Sequence, residues 1–244
     1  MKFFKKNGEE LTKDEFIKQY SESYYLDTPK LVDGITKNSK YVEKNIDDLL
    51  KNGIKKDTDV IHILAWKLGK IKHRESDENN TFVYHSDWEN AESFEVKRYS
   101  KEFKVKKLVD YIVSNINTLE KLSDENSQEV LNLLRENSPS GIGTVYLITL
   151  LYFISKGKSP IYDRFAMKAL DAICSETKPN NVVRYVELPC KSSKKFESIM
   201  TEHMAKYIEK MEKVFGKEYQ NNRNIDRALW VYGHLFPDKT NNKR

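Results

Sequence analysis

Glycine and proline are scarce in this 244-residue chain, at nine and six residues. Glycine stands at roughly half its usual share. That scarcity argues against a loop-rich all-β sandwich and against a glycine-rich nucleotide-binding α/β protein. Cysteine is scarcer still. Cys174 and Cys190 supply no disulfide framework, and no CxxC pair offers a zinc or iron–sulfur site. A reducing setting fits that usage, and a cytoplasmic protein is expected. The opening MKFFKKNGEEL lacks the apolar stretch of a signal peptide. The longest apolar run, Val145 to Ile154, is about half a membrane span. It reads as a buried core helix, with no membrane partner.

Hydrophobic residues make up 39% of the chain, enough for one sizeable core in one domain or two closely packed lobes. Charged residues reach 32% but interleave with apolar positions, so disorder is not expected. The net charge is +5, unevenly placed: from Lys178 onward there are 14 basic and 8 acidic residues. A local basic face, including Lys191, Lys194 and Lys195, permits an anionic partner without demanding one.

Helical patterning dominates. Thr12-Lys-Asp-Glu15 has the capping-box form, with Phe16, Ile17 and Tyr20 following at helical spacing. Further helices are expected over Ser39–Lys51, from a cap at Asp57-Thr58, and through Val105–Ile116 and Val130–Leu134. Others are expected over Val145–Ile154, Phe165–Ile173 and Ser193–Phe215, with a last one capped by Asn224. Residues 72–100 read as an irregular insertion or a small β-hairpin between Thr81–Tyr84 and Phe94–Tyr99. The fold class is all-α in the main: a single two-lobed helical unit over residues 1–244.

Two features near the centre carry chemistry. Gly141-Ile-Gly143 places two of the nine glycines between helices, just before the apolar one. Such a turn permits positive φ and presents amide hydrogens at a helix N-terminus, where a phosphate oxygen can bind. It equally serves as a tight turn for close helix packing. Twenty residues after Gly143, Asp163 follows Pro160-Ile-Tyr at a helix start. Alone, that is an ordinary N-cap. In order, the glycine hairpin, apolar helix, proline-containing loop and aspartate form a constellation.

That constellation resembles the helix-hairpin-helix DNA glycosylases, most closely their bacterial 8-oxoguanine-glycosylase-like branch. The matching residues are Ser138-Pro-Ser-Gly141-Ile-Gly143-Thr144, then Val145–Ile154, then Pro160-Ile-Tyr-Asp163-Arg164. Residues 128–175 hold the hairpin and catalytic loop. Asp226-Arg-Ala-Leu-Trp-Val-Tyr-Gly233 resembles the helix that closes the same lobe, and Ile63–Ile71 resembles an opening helix. The resemblance implies a helix-hairpin-helix glycosylase-like fold, a DNA partner and Asp163 as the catalytic carboxylate. Gly141, Ile142, Gly143 and Thr144 would hold a backbone phosphate, and a monovalent cation at the hairpin is compatible with the family. Bifunctional members carry a Schiff-base lysine two residues after the second hairpin glycine, where this chain has Val145. The implied activity is therefore simple hydrolysis, without a cofactor, by a monomer. The rivals are a catalytically silent DNA-binding relative and an all-α interaction or regulatory protein.

Several residues remain open between a site and an ordinary structural role. Lys67 and Arg164 are candidates for DNA contact; Lys67 would reach into the interlobe cleft or merely into solvent, and Arg164 would pair with phosphate or with a neighbouring carboxylate such as Asp163. Trp66, Tyr162 and Trp230 are candidates for a base pocket or for core packing. Trp88 is a candidate wedge at the DNA interface. His62, His85, His203 and His234 lack metal-site spacing, and no metal ligand is assigned.

Overall fold

Thr12 opens the first helix as its sequence implies. Its hydroxyl accepts the Glu15 amide at 3.3 Å, while the Glu15 carboxylate accepts the Thr12 amide at 2.9 Å, so each satisfies an otherwise orphaned donor. In the computed structural model this helix, α1, runs Lys13–Ser23. The structure describes residues 1–25, 35–36, 40–74, 82–84, 95–98, 101–139, 142–179, 181 and 196–237. Eight more helices lie among them. They are α2 (Lys40–Asn52), α3 (Asp57–Lys67), α4 (Lys106–Glu125), α5 (Ser127–Asn137), α6 (Thr144–Ile154), α7 (Arg164–Cys174), α8 (Phe196–Phe215) and α9 (Arg223–Gly233). The protein is mainly α-helical. No described helix is long and apolar enough to cross a membrane.

The strands are short. β1 (Phe3–Phe4) pairs with β2 (Glu10–Leu11), and β3 (Ile35–Thr36), β4 (Ile71–Arg74) and β5 (Phe82–Tyr84) form a second antiparallel sheet in that order. β6 (Glu95–Arg98) pairs with β7 (Lys101–Lys104). Of the two expectations for residues 72–100, the small β-hairpin is present, but 81–84 and 94–99 do not pair with each other: β5 pairs with β4, and β6 with β7. Each segment pairs with a neighbour closer in sequence, which closes the shorter loop.

The chain divides into two compact units: Met1–Asp27, Tyr162–Pro189 and Glu197–Arg244 in one, Thr28–Ile161 and Cys190–Phe196 in the other. In the first, α9 packs against α1 and α7. Phe16, Tyr20, Tyr232 and Phe236 are buried and meet edge to face or tilted, with centroids 5.0–5.1 Å apart, the arrangement that ring quadrupoles favour. Tyr20 also donates to the Phe4 carbonyl at 2.9 Å, tying the β1 strand to α1. In the second unit α6 is apolar all round and almost wholly buried, flanked by α3, α4 and α5. That placement explains its apolar run, interrupted only by the buried Thr149.

Two caps differ from expectation. Asn222, rather than Asn224, caps α9 by accepting the Asn224 amide at 3.1 Å. At α3 the carboxylate that works is Asp59, accepting from the Lys55 and Lys56 amides at 2.8 and 3.0 Å. In both cases the helix begins earlier than the cap motif suggested, so the expected capping residue already lies inside it.

Candidate functional site

Asp163 is the N-cap of α7. Its backbone is extended (φ −141°, ψ 145°) and its Oδ1 accepts the Phe165 amide at 2.8 Å, satisfying one orphan donor of the helix. The residue is half-buried. Before it, Pro160, Ile161 and Tyr162 are buried. Tyr162 packs edge-on against Tyr207 of α8 at 5.1 Å and is 1% exposed. Tyr162 is therefore a packed core residue immediately before Asp163 in the chain. Tyr207 was not singled out by sequence. Burial first, and then the charges of Asp226 and Asp163, push its phenol well above the ordinary value, so it remains a neutral hydroxyl beside both carboxylates.

Phe165 organises the other side of Asp163. The Arg164 guanidinium sits 4.5 Å from its ring centroid and the Lys168 ammonium 5.4 Å, both within cation–π range. The His234 ring stacks on Phe165 at 3.5 Å and 21°, and Trp230 tilts against His234 at 4.1 Å. Trp230 in turn meets Tyr24 at 5.3 Å. Arg164 and His234 are exposed, while Phe165 and Trp230 are half-buried. The structure thus brings Asp163, Arg164 and Trp230 together and adds Phe165, His234 and Lys168. Lys168 is fully buried and donates to the Phe236 carbonyl at 2.8 Å just beyond α9, so its charge is held by a backbone acceptor.

One glycine fixes this cluster. A Cβ built on Gly233 would lie 2.0 Å from the Phe165 carbonyl oxygen and 2.5 Å from its carbon. Only a residue without a side chain lets α9 approach the first turn of α7 so closely. The consequence is that His234, the next residue, falls onto the Phe165 ring.

Burial against Phe165 and Trp230 lowers the His234 pKa from its ordinary 6.5. The Trp230 carbonyl and the Asp163 charge push it back up, and Lys168 and Arg164 push it down. The unfolded chain therefore takes this proton at higher pH than the folded one. Stability accordingly falls as the pH drops from about 6.5 through the lower folded value. Thermal melts at pH 7.5 and 5.5 should show a smaller acid-induced loss for His234→Asn than for wild type.

The hairpin belongs to the other unit. Ser140 and Gly141 lie outside the described residues, as do Lys191, Lys194, Lys195, Trp88 and His85. Ile142 donates its amide to the Pro139 carbonyl at 3.1 Å, closing a turn. Gly143 is the N-cap of α6 with φ −79°, so the positive φ expected of the glycine pair is not needed there. As a glycine, Gly143 has no side chain with which to cap α6. Thr144 is buried, and Ile142 and Gly143 are half-buried.

Trp66 sits elsewhere in this unit. Its indole donates to the buried Glu43 carboxylate at 2.7 Å, and its ring meets Phe153 edge-on at 6.1 Å. Phe153 is nine residues beyond Thr144 on α6, about 14 Å along the helix from the hairpin. The structure does not bring Trp66 to the hairpin. Lys67, half-buried, ends α3 beside it.

No protein-family model, no curated protein and no solved structure matches this chain.

Proposed function

We propose that the chain is a monofunctional DNA glycosylase, hydrolysing the N-glycosidic bond of a damaged or modified base. It would act as a cytoplasmic monomer whose partner is DNA. The observation that carries this reading is the placement of Asp163: a half-buried carboxylate beside Phe165, Trp230, His234 and Arg164. Cleaving the N-glycosidic bond develops positive charge on the sugar, which a fixed carboxylate stabilises. The half-buried Trp230 ring provides an aromatic surface for an unstacked base, at the flipping cost of a few kcal/mol. The guanidinium of Arg164 suits a phosphate. In the other unit, the N-terminus of α6 at Gly143 suits a phosphate oxygen, fixing register without reading sequence. Val145 on that helix supplies no amine, so no sugar Schiff base is drawn.

The same structure favours one rival. Asp163 Oδ1 is engaged as an N-cap, which is all that a catalytically silent DNA-binding relative would require. A duplex carrying a cationic pyrrolidine in place of one nucleotide separates the two readings, because it mimics the charged sugar whatever base is the target. A glycosylase should bind it at least a hundredfold more tightly than unmodified duplex. A silent relative should bind both alike.

The hairpin has its own test. Gly143→Asp introduces a capping side chain at α6, worth a few tenths of a kcal/mol relative to glycine. It also places negative charge where the phosphate would sit. Stability is expected to rise slightly while duplex affinity falls more than tenfold, as read by thermal melts and fluorescence anisotropy. If the pair is only a turn, affinity stays unchanged.

A further inference from the structure

Asp163 can stabilise charge, but hydrolysis also needs a group that takes a proton from the attacking water. Carboxylates are weaker bases than imidazole by roughly a few hundredfold in proton affinity. Asp163 Oδ1 also holds the Phe165 amide at 2.8 Å. A base of different chemistry is available in the same cluster.

The tautomer of His234 is set by its neighbour. Nδ1 lies 2.7 Å from the Trp230 carbonyl oxygen. A carbonyl only accepts, so Nδ1 carries the hydrogen and, in the neutral ring, Nε2 carries the lone pair. The ring's orientation is fixed twice more, by the stack on Phe165 and by Trp230. Gly233 presses the preceding backbone against the Phe165 carbonyl. Phe165 is the same residue whose amide Asp163 caps, so carboxylate and imidazole are held through one residue. The charges acting on His234 are those of Asp163, Lys168 and Arg164, and the residue as a whole is exposed although its ring packs on Phe165 and Trp230.

We infer that His234 is the proton acceptor of the Asp163 site, with its Nε2 receiving a proton from the attacking water while Asp163 faces the charged sugar. This rests on the glycosylase reading. In the reaction the C1′–N bond breaks and its electron pair leaves with the base. A water oxygen bonds to C1′, its proton passes to Nε2 and from there to solvent, and the departing base takes up a proton from solvent on the nitrogen that kept the pair. Burial, which lowers the His234 pKa, keeps Nε2 unprotonated near neutral pH and so ready to accept. Sequence alone gave no hint of this, since His234 has no metal-like or triad-like spacing.

The test uses the full chain, labelled with ¹⁵N-histidine, and the pyrrolidine-containing duplex. The free protein should show His234 as the Nδ1–H tautomer at pH 7. Saturation with the duplex should shift its Nε2 resonance, while His234→Asn, which keeps a donor toward the Trp230 carbonyl, should bind that duplex at least tenfold more weakly. Affinity of this variant for unmodified duplex should not change. Tight pyrrolidine binding with an unmoved Nε2 resonance, or with wild-type affinity in His234→Asn, overturns the role of His234 and leaves the glycosylase reading intact. Equal binding of both duplexes by the wild type overturns the glycosylase reading, and the inference falls with it.

Discussion

Asp163→Asn should abolish base excision, by roughly a thousandfold or more, while leaving the fold and DNA affinity nearly as they are. The size follows from removing one preorganised charge from a site where charge develops, an effect on the order of 10²–10⁴-fold. The selectivity follows from the cap. Asparagine presents the same Oδ1 acceptor to the Phe165 amide that Asp163 presents at 2.8 Å, and Asn and Asp cap helices about equally well. Stability should therefore change by no more than about 0.5 kcal/mol. Asp163→Ala removes both functions and should cost about 1 kcal/mol in addition. Single-turnover excision and thermal melts on the same preparations separate charge from cap. If Asp163→Asn cuts as fast as wild type, the carboxylate is only a cap.

The second large effect is structural. Gly233→Ala should destabilise the protein by about 3 kcal/mol or more, lowering the melting temperature by roughly 6–12 °C. The new Cβ would meet the Phe165 carbonyl oxygen at 2.0 Å, its carbon at 2.5 Å and its Cα at 2.9 Å. All three are backbone atoms that cannot swing aside, so α9 must move off α7. That shift would also lift His234 and Trp230 from Phe165, and excision should fall even below the melting transition. Gly216→Ala is the control. Its φ is +61° and nothing lies within 4 Å of the built Cβ, so only a backbone cost of about 1 kcal/mol is expected. Equal melting temperatures for the two variants would refute the close-approach account.

Sequence carried the helices far better than the strands, for a physical reason. α6 and α7 announce themselves through a long apolar run and an aspartate at the helix start, signals that need only neighbours in the chain. Strands of two to four residues hold too few alternations to show a period. The β1–β2 hairpin did carry one readable sign, Asn7-Gly8 between Phe3-Phe4 and Glu10-Leu11. The site was half legible. Asp163 and its loop stood out by order and spacing. Gly233 looked like one more residue of a closing helix, because its necessity lies in the backbone of Phe165, far away in sequence. His234 was hidden for the same reason: a ring stack and a tautomer are made by partners that only folding brings near. Lys168 reads as a surface lysine until the Phe236 carbonyl that holds it is seen. The glycine pair permits positive φ, but Gly143 does not use it, because a helix N-cap takes ordinary extended backbone.

The central claim is that this chain breaks N-glycosidic bonds in DNA. Its most direct measurement incubates the purified chain with duplexes carrying a panel of oxidised, deaminated, alkylated and otherwise modified bases, then treats them with alkali to cleave abasic sites. Strand cleavage is expected at one class of modified base, only after alkali, and should disappear in Asp163→Asn. Intact strands across the whole panel, or cleavage that survives the Asp163→Asn substitution, would contradict it.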